Sequence, residues 1–320
     1  MLAPKEKSAA RRPVRALNVP GATGAGARRG PARRGGADGG SKPRRSALLT
    51  ALMALPLLYS LLPLAWLVIN STKSREQLFS TFGLWFGHDF ALWDNIVGVL
   101  TYNGHIYLRW LLNTLLYVAV GAVGATLLAA LAGYGLAKYQ FPGRRAFLSV
   151  VVGAVAVPST ALAVPAFLLF SKLGLTNTPW AVLIPLLVTP FGLFLLFSYA
   201  DEAVPNEILD AARVDGAGEF RIFFTVALRL LAPALVSVFL LEIVSAWNNY
   251  FLPLVMLNDP KWFPLTVGLN QWNNQASSAD GDVITNLVIT GSLLTIIPLV
   301  IVFLTLQRFW QSGLAAGSTK

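Results

Sequence analysis

Residues 200–231 read ADEAVPNEILDAARVDGAGEFRIFFTVALRLL. This is a polar island between two strongly apolar stretches. Asn206 is placed to cap a short helix, with Glu207 and Asp210 early in it, where the helix dipole favours negative charge. Ile208, Leu209, Ala211, Ala212 and Val214 give that helix a small, partly apolar surface. Gly216 supplies the permissive backbone for a sharp change of direction. A second helical pattern begins near Glu219 and runs on towards Pro233. A short helix carrying alanine rather than bulky residues suits docking into a groove on a partner.

The surroundings of this island define the class of protein. Of 320 residues, 55% are hydrophobic and 12% charged, half the charge density of about 25% found in soluble domains. That balance points to an integral membrane protein. Cysteine is absent and only two histidines occur, His88 and His105. Disulfide scaffolds, thiol catalysis and cysteine-based metal sites are thereby excluded, and a histidine-rich metal site is disfavoured. A membrane span needs about 20 mainly apolar residues, and six runs qualify: 46–69, 110–136, 146–170, 179–199, 232–257 and 286–306. The fold expected is all-α, a polytopic protein with six transmembrane helices, preceded by a basic tail over 1–45.

Charge sets the expected orientation. The net charge of +10 resides in residues 1–45, which hold 12 Lys/Arg against Glu6 and Asp38, while the rest of the chain is neutral. The tail is rich in Gly, Ala, Pro and Arg and has too little apolar surface to offset the entropy of ordering. Its basicity is therefore no signal for nucleic acid. Segments 1–45, 137–145, 200–231 and 307–320 together hold 20 Lys/Arg, against five (Lys73, Arg75, Arg109, Lys172, Lys261) in 70–109, 171–178 and 258–285. The positive-inside rule places both termini and the 200–231 island in the cytoplasm. Pro56, Pro63, Pro158, Pro165, Pro185, Pro190 and Pro298 fall inside spans and predict bent helices. Ala129, Gly133 and Ala137, four residues apart, predict close helix packing.

Asp210-Ala211-Ala212, followed two residues on by Asp215-Gly216-Ala217, resembles the EAA loop of ABC importer permeases. Asp210 stands in the family's Glu position, and the family's Leu-Pro pair is replaced by Leu228-Arg229 with Pro233 beyond. Other pieces resemble the carbohydrate-type branch, related to the inner-membrane subunits of maltose importers. They are Asn113-Thr114, Gly133-Tyr134, Lys138-Tyr139-Gln140-Phe141, Lys172-Leu173-Gly174-Leu175 with Asn177-Thr178, Trp247-Asn248-Asn249-Tyr250-Phe251 with Pro253-Leu254, and the C-terminal Gly313-Leu314-Ala315-Ala316-Gly317 with Lys320. The resemblance covers 46–320 and implies a MetI-like permease architecture. It implies that Asp210, Ala211, Ala212, Asp215 and Gly216 form the coupling helix that docks on a cytoplasmic ATPase. It further implies a second homologous permease subunit, two ATPase subunits carrying ATP and Mg, an extracytoplasmic solute-binding protein, and a plasma (inner) membrane location. The tail around Gly313 to Lys320 would also touch the ATPase interface.

No catalytic constellation and no cofactor site is evident in this chain. There is no G-x-x-x-x-G-K-[ST] phosphate loop, so ATP hydrolysis is expected on a separate chain. Glu242 is the ionisable side chain well inside a span, where a charge costs about 3 kcal/mol and marks a cavity or a function. At 100° per residue, Glu242, Ser245 and Asn249 share one face, with Asn248 at its edge and Trp247 opposite. Such a stripe suits the path of a hydroxyl-bearing solute, or a polar contact between helices. In the 258–285 connector, Trp262, Trp272, Asn273, Asn274 and Gln275 suit a sugar or a docked binding protein. Asp280 and Asp282 do not reach a calcium-loop pattern. The function expected is a sugar-importer permease subunit. The alternative is a proton- or ion-coupled secondary transporter with Glu242 as relay, and a membrane enzyme comes third.

Overall fold

The computed structural model describes residues 47–277 and 282–316. The basic tail, Asp280, Gly281 and the last four residues lie outside the described residues, and with them the readings made of the tail. The chain divides into two compact units after Leu52, and the described part of the first is the opening of helix α1.

All regular structure among the described residues is helical. The elements are α1 (Ala47–Ser71), α2 (Arg75–Ser80), α3 (Leu92–Lys138), α4 (Arg144–Val155), α5 (Ala163–Lys172), α6 (Trp180–Leu186), α7 (Pro190–Ala203), α8 (Asn206–Val214), α9 (Glu219–Ile222), α10 (Leu228–Leu230), α11 (Ala232–Trp247), α12 (Phe251–Met256), α13 (Leu265–Ala276) and α14 (Asp282–Ala316). Four segments are long and apolar enough to cross a membrane: Thr50–Ser71, Leu92–Lys138, Trp180–Ala203 and Ile284–Thr305. Two further candidates are broken: Arg144–Val155 meets Ser159–Lys172 at 102°, and Glu219–Leu230 meets Ala232–Trp247 at 83°. The expected count of six is reached when each bent pair is one span.

Proline explains part of this pattern. Pro158 opens the second limb of the first bent pair in an extended conformation, and Pro190 starts α7 after the break at Leu187–Thr189. A proline has no N–H to give a preceding turn, so it fits the start of a helix and ends the one before. Pro56 and Pro63, by contrast, sit inside an uninterrupted α1. The bend at Leu231 comes just ahead of Pro233, after a π-helical turn at Phe223–Ala227.

Several expectations are corrected. The second span was expected from residue 110, but helix starts at Leu92 and is kinked at Tyr102–His105, where Asn103, Gly104 and His105 all take left-handed φ. Periodicity cannot announce such a kink, although Asn, Gly and His are among the residue types that most readily take left-handed φ. The 232–257 run stops at Trp247 and resumes at Phe251. The connector 258–285 contains helix α13, and its Trp272 is buried rather than presented.

Two cores share α3 and α11 and otherwise draw on different helices. In the first, Tyr107, Trp110, Tyr117, Trp247, Met256, Leu265 and Trp272 pack together. The Trp272 ring lies 5.0 Å from Trp110 and 6.1 Å from Tyr107, centroid to centroid. In the second, further along α3, the walls are small: Ala129, Ala130, Ala137, Ala200, Ala227 and Ala234 beside Tyr134, Leu196, Leu231 and Val238. A Cβ on Gly133 would lie 2.8 Å from Phe197 N and 3.1 Å from Leu193 O. The α3 and α7 backbones therefore touch at this glycine, as the four-residue stripe predicts.

Candidate functional site

The α8–α9 segment is built on the small-residue core. Leu209 of α8, Ile222 of α9 and Phe223 are all buried, which contributes about 1.5–3 kcal/mol per large side chain. Pro205, extended, precedes the helix, and Asn206 is its first residue. No side chain caps it, so the capping role expected of Asn206 is not realised. With proline taking the position before the helix, the asparagine is already inside the first turn.

The rest of α8 faces outward. Glu207, Asp210 and Ala211 are exposed, and Val214 is 88% exposed. These positions are spaced i, i+3, i+4 and i+7, one face of a helix. Ala212 is half-buried against the core. Asp215 and Gly216 end the helix: Gly216 has φ of +80°, Asp215 N donates to Ala211 O at 3.0 Å, and Ala217 N donates to Ala212 O at 3.0 Å. The chain then reverses into α9, where Phe220 is 77% exposed.

An ionic clamp braces the reversal. Arg213 Nη1 donates to Asp210 Oδ1 at 2.7 Å and Nε donates to Glu219 Oε1 at 2.8 Å. Tyr139, just past the end of α3, donates its hydroxyl to the other Glu219 oxygen. Each exposed pair is worth under about 1 kcal/mol, so the clamp orients α8 more than it stabilises it. Burial and the neighbouring Glu219 carboxylate push the Tyr139 phenol up, and the two carboxylates hold the Arg213 guanidinium firmly charged. Sequence reasoning missed Arg213, Glu219 and Tyr139 as site residues. The three-residue spacing of Asp210 and Arg213 carries a signal, whereas the contact from Tyr139 to Glu219, 80 residues away, carries none.

The polar stripe of α11 is only partly assembled. Glu242 Oε1 accepts from Thr189 Oγ1 at 2.7 Å, and the same hydroxyl accepts from Gly192 N at 3.1 Å. Thr189 thus caps α7 while holding the carboxyl near that helix's N-terminus, where the dipole favours negative charge. Ser245 is exposed on the same helix. Asn248 and Asn249 lie beyond the last turn, so the helical angle does not carry to them. Asn248 Nδ2 donates to Val244 O at 2.8 Å, and Asn249 O accepts from Thr266 Oγ1 at 2.8 Å. No cluster of three or more His, Cys, Asp or Glu suited to a metal occurs among the described residues.

At the aromatic core, the motif residues hold a loop. Asn113 Nδ2 donates to Lys261 O at 2.8 Å and to Phe263 O at 3.0 Å, Thr114 Oγ1 accepts from Leu265 N at 2.8 Å, and Tyr117 donates to Trp262 O at 2.8 Å. Asn177, with φ of +58°, accepts from Asn258 N and Asp259 N at 3.0 and 2.9 Å. Asn273, Asn274 and Gln275 remain on the surface of α13.

Comparison with known proteins agrees with this architecture. Residues 125–315 match the family described as binding-protein-dependent transport system inner membrane component. The arabinooligosaccharides transport system permease protein AraQ of Halalkalibacterium halodurans is 33% identical over 285 residues, 88% of this chain and 98% of that protein. The lactose transport system permease protein LacG of Rhizobium radiobacter is 31% identical over 275 residues, 84% of this chain and 94% of that one. In fold, the chain is similar to a solved bacterial ABC transporter involved in the import of the acidic polysaccharide alginate. The TM-score is 0.71 at 23% identity, covering 82% of this chain and 95% of the other. A helical chain with several membrane-crossing segments, matched to this family over most of its length, is a multi-pass membrane protein and belongs to the inner-membrane components of binding-protein-dependent transport systems.

Proposed function

We propose that this chain forms half of the translocation path of an ATP-driven importer for a sugar or oligosaccharide. The observation that carries the coupling role is the geometry of α8, an amphipathic helix anchored by buried Leu209 and turned outward along Glu207, Asp210, Ala211 and Val214. The small side chain at 211 lets a partner groove approach the backbone closely. The partner is a pair of cytoplasmic ATPase subunits that hydrolyse Mg-ATP. Their closure moves Asp210, Ala211, Ala212, Asp215 and Gly216 as one body, and the bent helices carry that movement to the path.

A second, homologous permease subunit completes the path, and an extracytoplasmic solute-binding protein delivers the cargo. Both termini lie in the cytoplasm, from the distribution of Lys and Arg. Glu242, Ser245, Asn248 and Asn249 contribute polar groups to the path, where carboxyl, hydroxyl and amide pair with sugar hydroxyls. The names of the arabinooligosaccharide and lactose relatives support the cargo class.

Gentle solubilisation of tagged protein, followed by mass spectrometry of stoichiometric partners, tests the reading. A second permease and an ATPase are expected. A lone protein or a homodimer after mild crosslinking contradicts it and makes Glu242 as a proton relay the leading reading. Gly216→Val tests the coupling step in the same complex. A β-branched residue is an outlier at positive φ, and the strain of about 1–2 kcal/mol falls on the turn after α8. Solute uptake is expected to be lost while membrane insertion persists. Normal uptake removes the coupling assignment.

A further inference from the structure

Residues 79–93 read FSTFGLWFGHDFALW and connect α2 to α3. They hold one acid, one histidine and no Lys or Arg. Six aromatic rings, those of Phe79, Phe82, Trp85, Phe86, Phe90 and Trp93, are exposed, with Trp85 and Trp93 each at 72%. Exposed rings at this density in one short connector call for an apolar partner.

The polar atoms of the same region point the other way. Asn70 Nδ2 donates to Gly83 O at 2.8 Å, Lys73 Nζ donates to Phe82 O at 2.9 Å, and Ala91 N donates to Thr72 O at 2.7 Å. Gln77 Nε2 donates to Asp89 Oδ2 at 3.0 Å. Asn95 Nδ2 reaches back to Ser71 O and Lys73 O at 2.9 and 2.8 Å. Asn70, Thr72, Lys73 and Gln77 are consequently buried beneath the connector. Burial lowers the proton affinity of the Lys73 ammonium.

These bonds also fix depth. They tie Phe82, Gly83 and Ala91 to the last turn and exit of α1, where a membrane-crossing helix leaves the hydrocarbon. The most apolar window of α1 has none of its residues buried within the chain, and its exposed apolar surface runs on into the ring-bearing connector. Trp and Tyr collect at this level of a bilayer because an amphipathic ring fits the boundary between headgroups and acyl chains. A sugar or a polar protein face would need many outward hydrogen-bonding groups, whereas the exposed polar side chains between the rings are few, chiefly His88 and an Asp89 already bonded to Gln77.

We infer that residues 79–93 form an aromatic collar seated in the headgroup–acyl boundary of the bilayer, at the membrane face where α1 ends. The collar fixes the height of α1 and of the α3 entry, and its partner is the phospholipid surface.

The cysteine-free chain offers a direct test. Phe82→Cys, Trp85→Cys and Phe90→Cys are each spin-labelled in the full-length protein in phosphatidylcholine–phosphatidylglycerol vesicles. Collisions with dissolved oxygen and with a water-soluble nickel chelate are then compared. The unmutated chain gives the labelling background, Leu58→Cys a lipid reference and Glu207→Cys an aqueous one. All three substituted positions are exposed, so each variant keeps its core. Oxygen collisions are expected to exceed nickel collisions at the three collar positions, by a ratio between those at positions 58 and 207. Nickel collisions as frequent as at position 207 overturn the inference in favour of a water-facing loop. Protection from both probes overturns it in favour of a protein partner.

Discussion

The two halves of α3 meet their neighbours in opposite ways. Around Tyr107–Val118 the contacts are large rings and side-chain amides that reach into the 258–265 loop. Around Ala129–Ala137 they are mostly methyl groups and a glycine against the backbone of α7, with Tyr134 the one ring of the stretch, 5.3 Å from Phe223. Interlocked rings and directed hydrogen bonds hold one arrangement, because moving them forfeits both packing and partners. Small-residue faces present a smooth surface on which helices approach closely and shift by small steps. α8 stands on the smooth half, and the 258–265 loop is sewn to the interlocked half. On the proposed coupling role, the α8 end is the part that moves and the aromatic end the frame it moves against.

Substitutions separate the two halves. Trp272→Ala removes the ring on which Tyr102, Tyr107 and Trp110 converge. A loss of about 3–5 kcal/mol is expected, read as a lower unfolding temperature of the purified protein in detergent, with protease access at α8 unchanged. Gly133→Val drives side-chain atoms into the α7 backbone, and a cost of about 1–3 kcal/mol is expected from overpacking. The same thermal measurement checks it, and α8 should now become more accessible. If both variants alter both ends alike, the division fails.

Asn113→Ala leaves the Phe263 carbonyl without its side-chain donor and the Lys261 carbonyl with Arg109 Nε alone, at about 1–3 kcal/mol, and hydrogen exchange should quicken in that loop alone. Glu219→Gln changes stability by less than about 1 kcal/mol. It releases the Arg213 clamp, however, so ATPase stimulation by solute should fall with no change in melting. The smallest effect is expected at Asp259. Its carboxyl is held below the usual carboxylate range by Lys261, chiefly through the side-chain bond. A depressed value means that the contribution is present above the ordinary pKa of about 4 and lost only as pH falls through the lowered one. Melting between pH 5 and 8 should therefore show no step from this pair.

Much of the outline is legible in the sequence because membrane spans and the α8 segment are written locally. Apolar runs announce the spans, and Gly216 the end of α8. The run at 110, however, does not show the helix beginning at Leu92, and the start of α8 is set by Pro205 rather than by a cap from Asn206. What escapes depends on partners far along the chain. Trp272 reads as a surface ring until α3 is packed against α13, and its aromatic–amide neighbourhood conceals a helix. Glu242 reads as a lone charge until Thr189, 53 residues away, is brought to it. The run of left-handed residues at Asn103–His105 is permitted by an Asn-Gly-His sequence but is not announced by hydrophobic periodicity. The outward rings of 79–93 are visible as letters, but their depth follows only from the bonds to Asn70, Thr72 and Lys73.

A photo-crosslinking side chain placed at Ala211 on α8, and separately at Asn274 on α13, tests the central claim most directly in native membranes. Capture of an ATPase subunit from position 211 and not from 274 is the result predicted. Capture of that subunit from position 274, or no protein captured at position 211, contradicts the assignment of α8 as the coupling end.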